Sequence, residues 1–103
     1  MTGIEKNSIL IIDDDKSVLQ SLSMWLKSES FKVYTASNSS EALDVISGSS
    51  VDLALLDYKL EDETGDEVAA LLKKVDKDII IIIITGFPSF DNALKSIKRG
   101  VFD

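Results

Sequence analysis

The chain has 103 residues, of which 45% are apolar and 28% charged, and its formal net charge is −7. These values fit one globular domain, and the acidic excess argues against a nucleic-acid backbone or an anionic membrane as partner, because both are bound by clustered Lys and Arg. With no cysteine and no histidine, the chain has no disulfides, no Cys/His zinc site and no catalytic histidine.

Short apolar strands alternate with amphipathic helices along the chain. The predicted strands cover residues 8–12, 31–36, 51–56 and 79–84, and the predicted helices cover residues 16–28, 39–47, 64–75 and 88–99. Asp15 is placed to cap the first helix, while Gly48 and Gly100 are placed to end the second and fourth. The third helix is predicted to bury Val68, Leu71, Leu72 and Val75, which recur at helical spacing.

The alternation of strands and helices predicts βαβ units and therefore an α/β fold with a parallel sheet. The strand sequences ILII, LALL and IIIIII are apolar at every position. Strands of this kind have both faces covered by helices, whereas a half-exposed strand would alternate apolar and polar residues. The run of six isoleucines is predicted to be the most buried strand.

Polar residues stand at the carboxyl ends of three predicted strands. Asp13 and Asp14 follow the first strand, and Asp57 follows the third. Thr85 and Gly86 stand at the end of the fourth. The carboxyl ends of parallel strands meet at one edge of the sheet, where α/β proteins bind their ligands. We therefore expect three carboxylates, a hydroxyl and a glycine backbone to converge there.

This set of groups suits a hard cation. Mg²⁺ (or Mn²⁺) takes a few carboxylates, keeps several waters and completes its coordination with a phosphate oxygen. An aspartate beside such a metal can act as a nucleophile and form an aspartyl phosphate. Thr85 is then placed to hydrogen-bond the phosphoryl group, and Gly86 allows backbone N–H groups to approach it. Each residue alone has an ordinary structural explanation; their joint occurrence at one edge favours the functional one.

Four stretches resemble the receiver domain of two-component response regulators: IIDDDKS, LALLDYKL, the Thr-Gly pair in IIITGFPS, and the closing KRGVFD. The resemblance covers residues 9–103. It implies a flavodoxin-like, doubly wound parallel sheet with strand order 2-1-3-4. It further implies a cytoplasmic signalling domain that takes a phosphoryl group from a sensor histidine kinase and switches conformation to control a partner or effector. Such a domain is not an enzyme beyond self-phosphotransfer and autodephosphorylation.

The resemblance also implies roles for individual residues. Asp57 matches the phosphoacceptor. Asp14 matches the direct acidic metal ligand, and Asp13 matches its partner, acting through water. The backbone carbonyl of Lys59 matches a further metal ligand, and Thr85 matches the hydroxyl that moves toward the phosphoryl group.

The segment after Asp57 departs from the family pattern D-x-x-[LM]-P-x-x-x-G at one position. Gly65 matches the glycine that opens the third helix, but the proline position holds Glu61. This change adds charge and alters the loop, and we do not expect it to remove the chemistry. Asp15, the third acid of the cluster, is expected to cap the first helix outside the metal shell. By the same resemblance, residues 16–22 and the adjoining loops form the kinase-docking surface.

The family pattern continues into a fifth strand and helix that this sequence does not contain. Those elements carry a lysine that pairs with the phosphoryl group and an aromatic residue that reports phosphorylation. We therefore predict one receiver domain over residues 1–103, with residues 1–7 as a flexible tail and the C-terminal part missing, as in a fragment of a longer protein. Residues 79–84 would then form an apolar sheet edge that favours self-association by edge pairing or exchange of elements.

Three alternatives remain open on the sequence. A phosphatase-like hydrolase would also use an aspartyl phosphate, but it usually needs an acid two residues after the nucleophile, where Lys59 stands. A pseudo-receiver would act only as a protein-interaction or dimerisation module; the missing elements favour it, and the intact acids favour phosphotransfer. A nucleotide-binding domain is disfavoured, because neither G-x-G-x-x-G nor G-x-x-x-x-G-K-[ST] occurs.

The N-terminus and the apolar runs argue against export and membrane insertion. The first residues, MTGIEKNS, lack the basic and apolar regions of a signal peptide. The longest apolar run, residues 79–84, is far shorter than the ~20 residues of a helical membrane span. The sequence therefore predicts a soluble, cytoplasmic protein.

Overall fold

The computed structural model describes residues 8–84 and shows strands and helices in strict alternation. The elements are β1 (Ser8–Ile12), α1 (Lys16–Ser28), β2 (Lys32–Ala36), α2 (Ser39–Gly48), β3 (Leu53–Asp57), α3 (Gly65–Val75) and β4 (Ile80–Ile84). All seven elements predicted for this part of the chain are present, with ends shifted by at most two residues. The predictions for the N-terminal tail and for the helix at residues 88–99 lie outside the described residues.

The four strands form one parallel sheet in the order β2-β1-β3-β4. This confirms the predicted α/β class and the flavodoxin-like strand order. In the register, Ile12 lies opposite Ala36 on one side and Leu56 on the other. The carboxyl ends of β1, β2 and β3 therefore lie level with one another.

The prediction that the isoleucine strand is the most buried is wrong. Every residue of β1 is buried, whereas residues 80–83 of β4 are only partly buried. Among the described residues, β4 pairs with β3 alone, while β1 lies between β2 and β3. Position in the sheet, and not apolar content, sets the burial of each strand.

Helices cover both faces of the sheet, as the apolar strands require. One cluster joins α1 to the sheet through Leu19, Leu22 and Leu26. The other joins α2 and α3 to the opposite face through residues that include Ala42, Val68, Leu72 and Leu60. Alternate residues of β1 and β3 point into the two clusters, in keeping with the two-residue period of a strand.

The predicted apolar stripe of α3 is partly wrong. Val68 and Leu72 are fully buried, but Leu71 and Val75 are 36% and 50% exposed. The apolar residues at helical spacing therefore occupy a wider part of the α3 surface than the sheet and α2 cover in the described part of the chain. Ala69 packs against the core instead.

The helix starts follow their sequence signals closely. Asp15 caps α1 as predicted, accepting hydrogen bonds from the backbone N–H groups of Ser17 and Val18. Thr64 and Glu67 form a reciprocal capping box at the start of α3. Gly48 is the last residue of α2 and not the residue after it. Within residues 8–84, no helix has the length and apolar character needed to cross a bilayer.

Candidate metal centre

Two aspartates lie side by side because β1 and β3 are paired in register. The last pair of that register joins Ile12 to Leu56. The next residues are Asp13, directly after β1, and Asp57, the last residue of β3. Asp14 follows in the turn that leads to α1. The parallel sheet thus brings acids that are 44 positions apart in the sequence to one edge.

The three carboxylates form a compact group. Asp13, Asp14 and Asp57 each offer one oxygen, and these oxygens all lie within 4.8 Å of one another. Ligands on opposite sides of a Mg²⁺ ion, at ~2.1 Å from it, are about 4 Å apart. The group therefore has the size and the all-oxygen chemistry to hold one small, hard cation.

Asp13 is the acid whose environment is most unusual. It is only 9% exposed. Its pKa is raised to about 6, mainly by burial and to a smaller extent by the charges of Asp57, Asp14 and Asp15. The backbone N–H of Asp15 donates to Asp13 Oδ1 at 2.9 Å and partly offsets these effects. A cation among the acids would favour their charged forms and lower the pKa of Asp13.

Asp57 lies partly buried at the end of β3. Burial raises the pKa of its carboxyl, the backbone N–H of Lys59 lowers it, and the charge of Asp14 raises it. The Lys59 N–H donates to Asp57 Oδ1 at 3.4 Å, so the backbone of Lys59 folds back beside the carboxylate. The side chain of Lys59 is exposed.

Gly65 allows α3 to start in direct contact with the segment at Asp57. A Cβ atom at this position would lie 2.9 Å from the Cα of Tyr58 and 3.2 Å from the carbonyl oxygen of Asp57. The Gly65 N–H also donates to the Tyr58 carbonyl at 2.6 Å. Glycine is therefore required at position 65 because the backbone of α3 approaches the backbone of Asp57 and Tyr58 too closely for a side chain.

The remaining predicted site residues cannot be placed in the same way. Thr85 and Gly86 lie outside the described residues. They follow Ile84, the β4 residue that pairs with Asp57 in the register. Glu61, which stands at the proline position of the family pattern, is exposed in the loop between β3 and α3.

Sequence reasoning gave no role to Glu63, which makes a long-range contact. Its Oε1 accepts a hydrogen bond from the backbone N–H of Ser39 at 2.7 Å, across 24 positions of the sequence. Ser39 is the first residue of α2. No local signal marks this pairing, because it depends on how α2 and α3 pack together.

Comparisons with known proteins agree with this geometry. The family model of the response regulator receiver domain matches residues 9–103. A receiver domain protein (CheY-like) from Methanospirillum hungatei JF-1 is 33% identical, with a TM-score of 0.74, and the match covers 91% of this chain and 75% of that one. Response regulator TrrA from Thermotoga maritima, solved in complex with Mg²⁺ and BeF, is 32% identical, with a TM-score of 0.71 and coverages of 87% and 78%.

Among curated proteins, transcriptional regulatory protein GlrR of Escherichia coli is 33% identical over 94 residues. That match covers 91% of this chain but 21% of GlrR, so the chain spans about a fifth of the length of this relative. With the family model matching nearly the whole chain, the chain belongs to the response regulator receiver domain family, whose members act generally in signalling and not as enzymes.

Proposed function

We propose that the chain is a phosphoacceptor switch of a two-component system. Asp57 takes a phosphoryl group from a phosphohistidine of a sensor histidine kinase in the cytoplasm, and the modified domain changes conformation to control a partner or effector. The observation that supports this most directly is the group of carboxylate oxygens from Asp13, Asp14 and Asp57 within 4.8 Å. The sheet edge that carries them is where α/β proteins bind their ligands.

In the transfer step, a carboxylate oxygen of Asp57 attacks the phosphorus. The O–P bond forms, the P–N bond to the kinase histidine breaks, and its electron pair returns to the imidazole ring. Asp13, Asp14, Asp57 and the backbone carbonyl of Lys59 are the proposed ligands for Mg²⁺ or Mn²⁺. The bound cation supplies positive charge that offsets the charge of the phosphoryl oxygens and of the acids.

The local contacts suit this role for Asp57. The Lys59 N–H makes a long hydrogen bond of 3.4 Å to one carboxylate oxygen, and the partly exposed side chain leaves room for a donor molecule to approach. Thr85 is proposed to hydrogen-bond the phosphoryl group, with Gly86 providing access to the backbone beside it. A second acid two residues after Asp57, which a phosphatase of this chemistry uses, is replaced by Lys59.

The test is the intact mass of the folded chain after incubation with acetyl phosphate and Mg²⁺. We expect the mass of one phosphoryl group to be added to the chain. This adduct should not form in the presence of EDTA or in Asp57→Asn. It should form in Asp44→Asn, the control variant, which changes an exposed aspartate of α2. Thr85→Ala should slow the formation of the adduct. The absence of an adduct in a chain shown to be folded by circular dichroism would contradict the proposal and favour an interaction module.

We also propose that the chain self-associates through strand 79–84. Among residues 8–84, β4 is paired on one side only, and its residues 80–83 are partly exposed isoleucines. An apolar strand without charged residues at the edge of a sheet favours pairing with another copy. β2, at the other edge of the described sheet, carries an exposed Lys32 and an exposed Thr35. These polar residues disfavour pairing of that edge with another strand.

A further inference from the structure

The loop between β3 and α3 is attached to α2 by a charged hydrogen bond. We call residues 58–64 the β3–α3 loop. Within it, Glu63 Oε1 accepts from the Ser39 backbone N–H at 2.7 Å in a partly buried setting. Ser39 opens α2, a helix of ten residues, and a carboxylate is favourable at the positive end of a helix. The bond therefore joins the segment after Asp57 to a different helix.

An apolar contact and turn hydrogen bonds make this loop one unit. Leu60 is 6% exposed and belongs to the same core cluster as Ala42 of α2. The Leu60 N–H donates to the Glu63 carbonyl at 3.1 Å. Lys59 and Thr64 lie opposite each other in an isolated antiparallel β-bridge. A shift of Glu63 would consequently be passed to Lys59, whose N–H contacts the Asp57 carboxylate.

The other side of the acid cluster is connected to the same end of α2. The backbone N–H of Asp13 donates to the carbonyl of Ala36 at 3.1 Å. Ala36 ends β2, and two residues later Asn38 caps α2. Glu63 therefore closes a ring of contacts that runs from Asp13 through the start of α2 to the β3–α3 loop and Asp57.

We propose that Glu63 is a positioning residue for the cation site. By fixing the β3–α3 loop against the start of α2, it holds the Lys59 backbone and Asp57 at the right distance from Asp13 and Asp14. This inference rests on the proposed cation-dependent function of that site. Glu63 itself does not belong to the acid group, which consists of Asp13, Asp14 and Asp57.

The test compares Mg²⁺ affinity, measured by calorimetry, in the wild type, Glu63→Ala, Glu63→Gln and Glu41→Ala. Glu41 is the matched control, because its Oε1 accepts from the Ser37 backbone N–H at the same 2.7 Å and the same helix end, but only locally. Glu63→Gln removes the charge and keeps an acceptor oxygen. Loss of an outer partner of a metal site typically weakens binding about 10-fold or more.

We expect Glu63→Ala to raise the Mg²⁺ dissociation constant about 10-fold. Glu63→Gln should raise it less, because the acceptor oxygen remains while the charge at the start of α2 is lost, and Glu41→Ala should stay close to the wild type. Equal losses in Glu63→Ala and Glu63→Gln would show a long-range charge effect and overturn the proposal. Equal losses in Glu63→Ala and Glu41→Ala would show that general stability is responsible, and would overturn it as well.

A second readout separates this inference from the proposed function. Hydrogen exchange of the Lys59 and Leu60 amides is measured in the metal-free protein. Faster exchange in Glu63→Ala, but not in Glu41→Ala, is the expected result for a loop held by Glu63. Unchanged exchange would overturn the positioning role. A wild type that binds no Mg²⁺ would contradict the proposed function, while the exchange data would still show whether Glu63 holds the loop.

Discussion

At the scale of single residues, Asp13 combines burial with three acidic neighbours. It is the one acidic side chain among residues 8–84 that is buried, and its pKa is raised to about 6, first by burial and then by the charges of Asp57, Asp14 and Asp15. A raised pKa means that the folded state favours the protonated form. The charged acid is thus a cost to the metal-free fold, which a cation would remove.

This gives a pH dependence with a defined sign. Since the folded protein binds the Asp13 proton more tightly than the unfolded chain, whose ordinary pKa is 3.8, the contribution of Asp13 to the free energy of unfolding should fall as pH rises from about 4 to about 6. Asp13→Asn should flatten this fall, stabilise the metal-free protein at pH 7 and weaken Mg²⁺ binding. Urea unfolding of the wild type and Asp13→Asn across this pH range, with EDTA present, measures the free energy of unfolding of each protein.

The exposed Asp44→Asn variant is the control for Asp13→Asn, and it should leave the pH profile unchanged. Asn retains an Oδ1 acceptor, so the hydrogen bond from the Asp15 N–H can persist in Asp13→Asn. A profile of Asp13→Asn identical to that of the wild type would contradict the assignment of the slope to this residue.

At the scale of elements, the start of α3 sets the position of the segment that follows Asp57. Gly65 contacts the backbone of Tyr58 and Asp57 more closely than any side chain would allow. The capping box of Thr64 and Glu67 fixes the direction in which the helix leaves the loop. The start of α3 is therefore fixed in position next to the backbone of Asp57 and Tyr58.

We predict that Gly65→Ala destabilises the domain by about 1–3 kcal/mol, the usual cost of forcing a methyl group into packed surroundings. The control is Gly48→Ala in the last turn of α2. A Cβ there meets nothing within 4 Å, and alanine is favoured over glycine in a helix by up to ~1 kcal/mol. Thermal unfolding should show opposite shifts for the two variants. A neutral Gly65→Ala would contradict the close-approach explanation.

At the scale of the whole molecule, the sheet order decides which strands are protected. Among the strands of residues 8–84, β1 and β3 are central and buried, while β2 and β4 are each paired on one side only. The two outer strands differ in chemistry, because β2 carries exposed polar residues and β4 is five isoleucines. This asymmetry is the basis for the proposed self-association.

The corresponding prediction concerns the oligomeric state. Light scattering over a concentration series should show a mass that rises toward that of a dimer as the protein is concentrated. The reason is that pairing of two β4 edges buries apolar surface and satisfies backbone groups. A single monomeric mass at the highest concentration would contradict this proposal and would leave the proposal for the phosphoacceptor site unaffected.

The sequence by itself determined the order of the elements, the α/β class and the family. It could do so because strand and helix periods, helix caps such as Asp15, and the motifs around Asp13 and Asp57 are all local patterns. It also predicted that Asp13, Asp14 and Asp57 would lie together, because the carboxyl ends of parallel strands meet at one edge.

Only the tertiary structure decided how strongly each element is buried and which distant groups touch. The isoleucine strand is less buried than β1, and Leu71 is exposed despite its helical spacing. The pKa of Asp13 and the bond from Ser39 to Glu63 depend on neighbours far away in the sequence. Periodicity in the sequence indicates which side of a helix or strand is apolar. Packing between elements decides how much of that side is buried and which partner each polar group contacts.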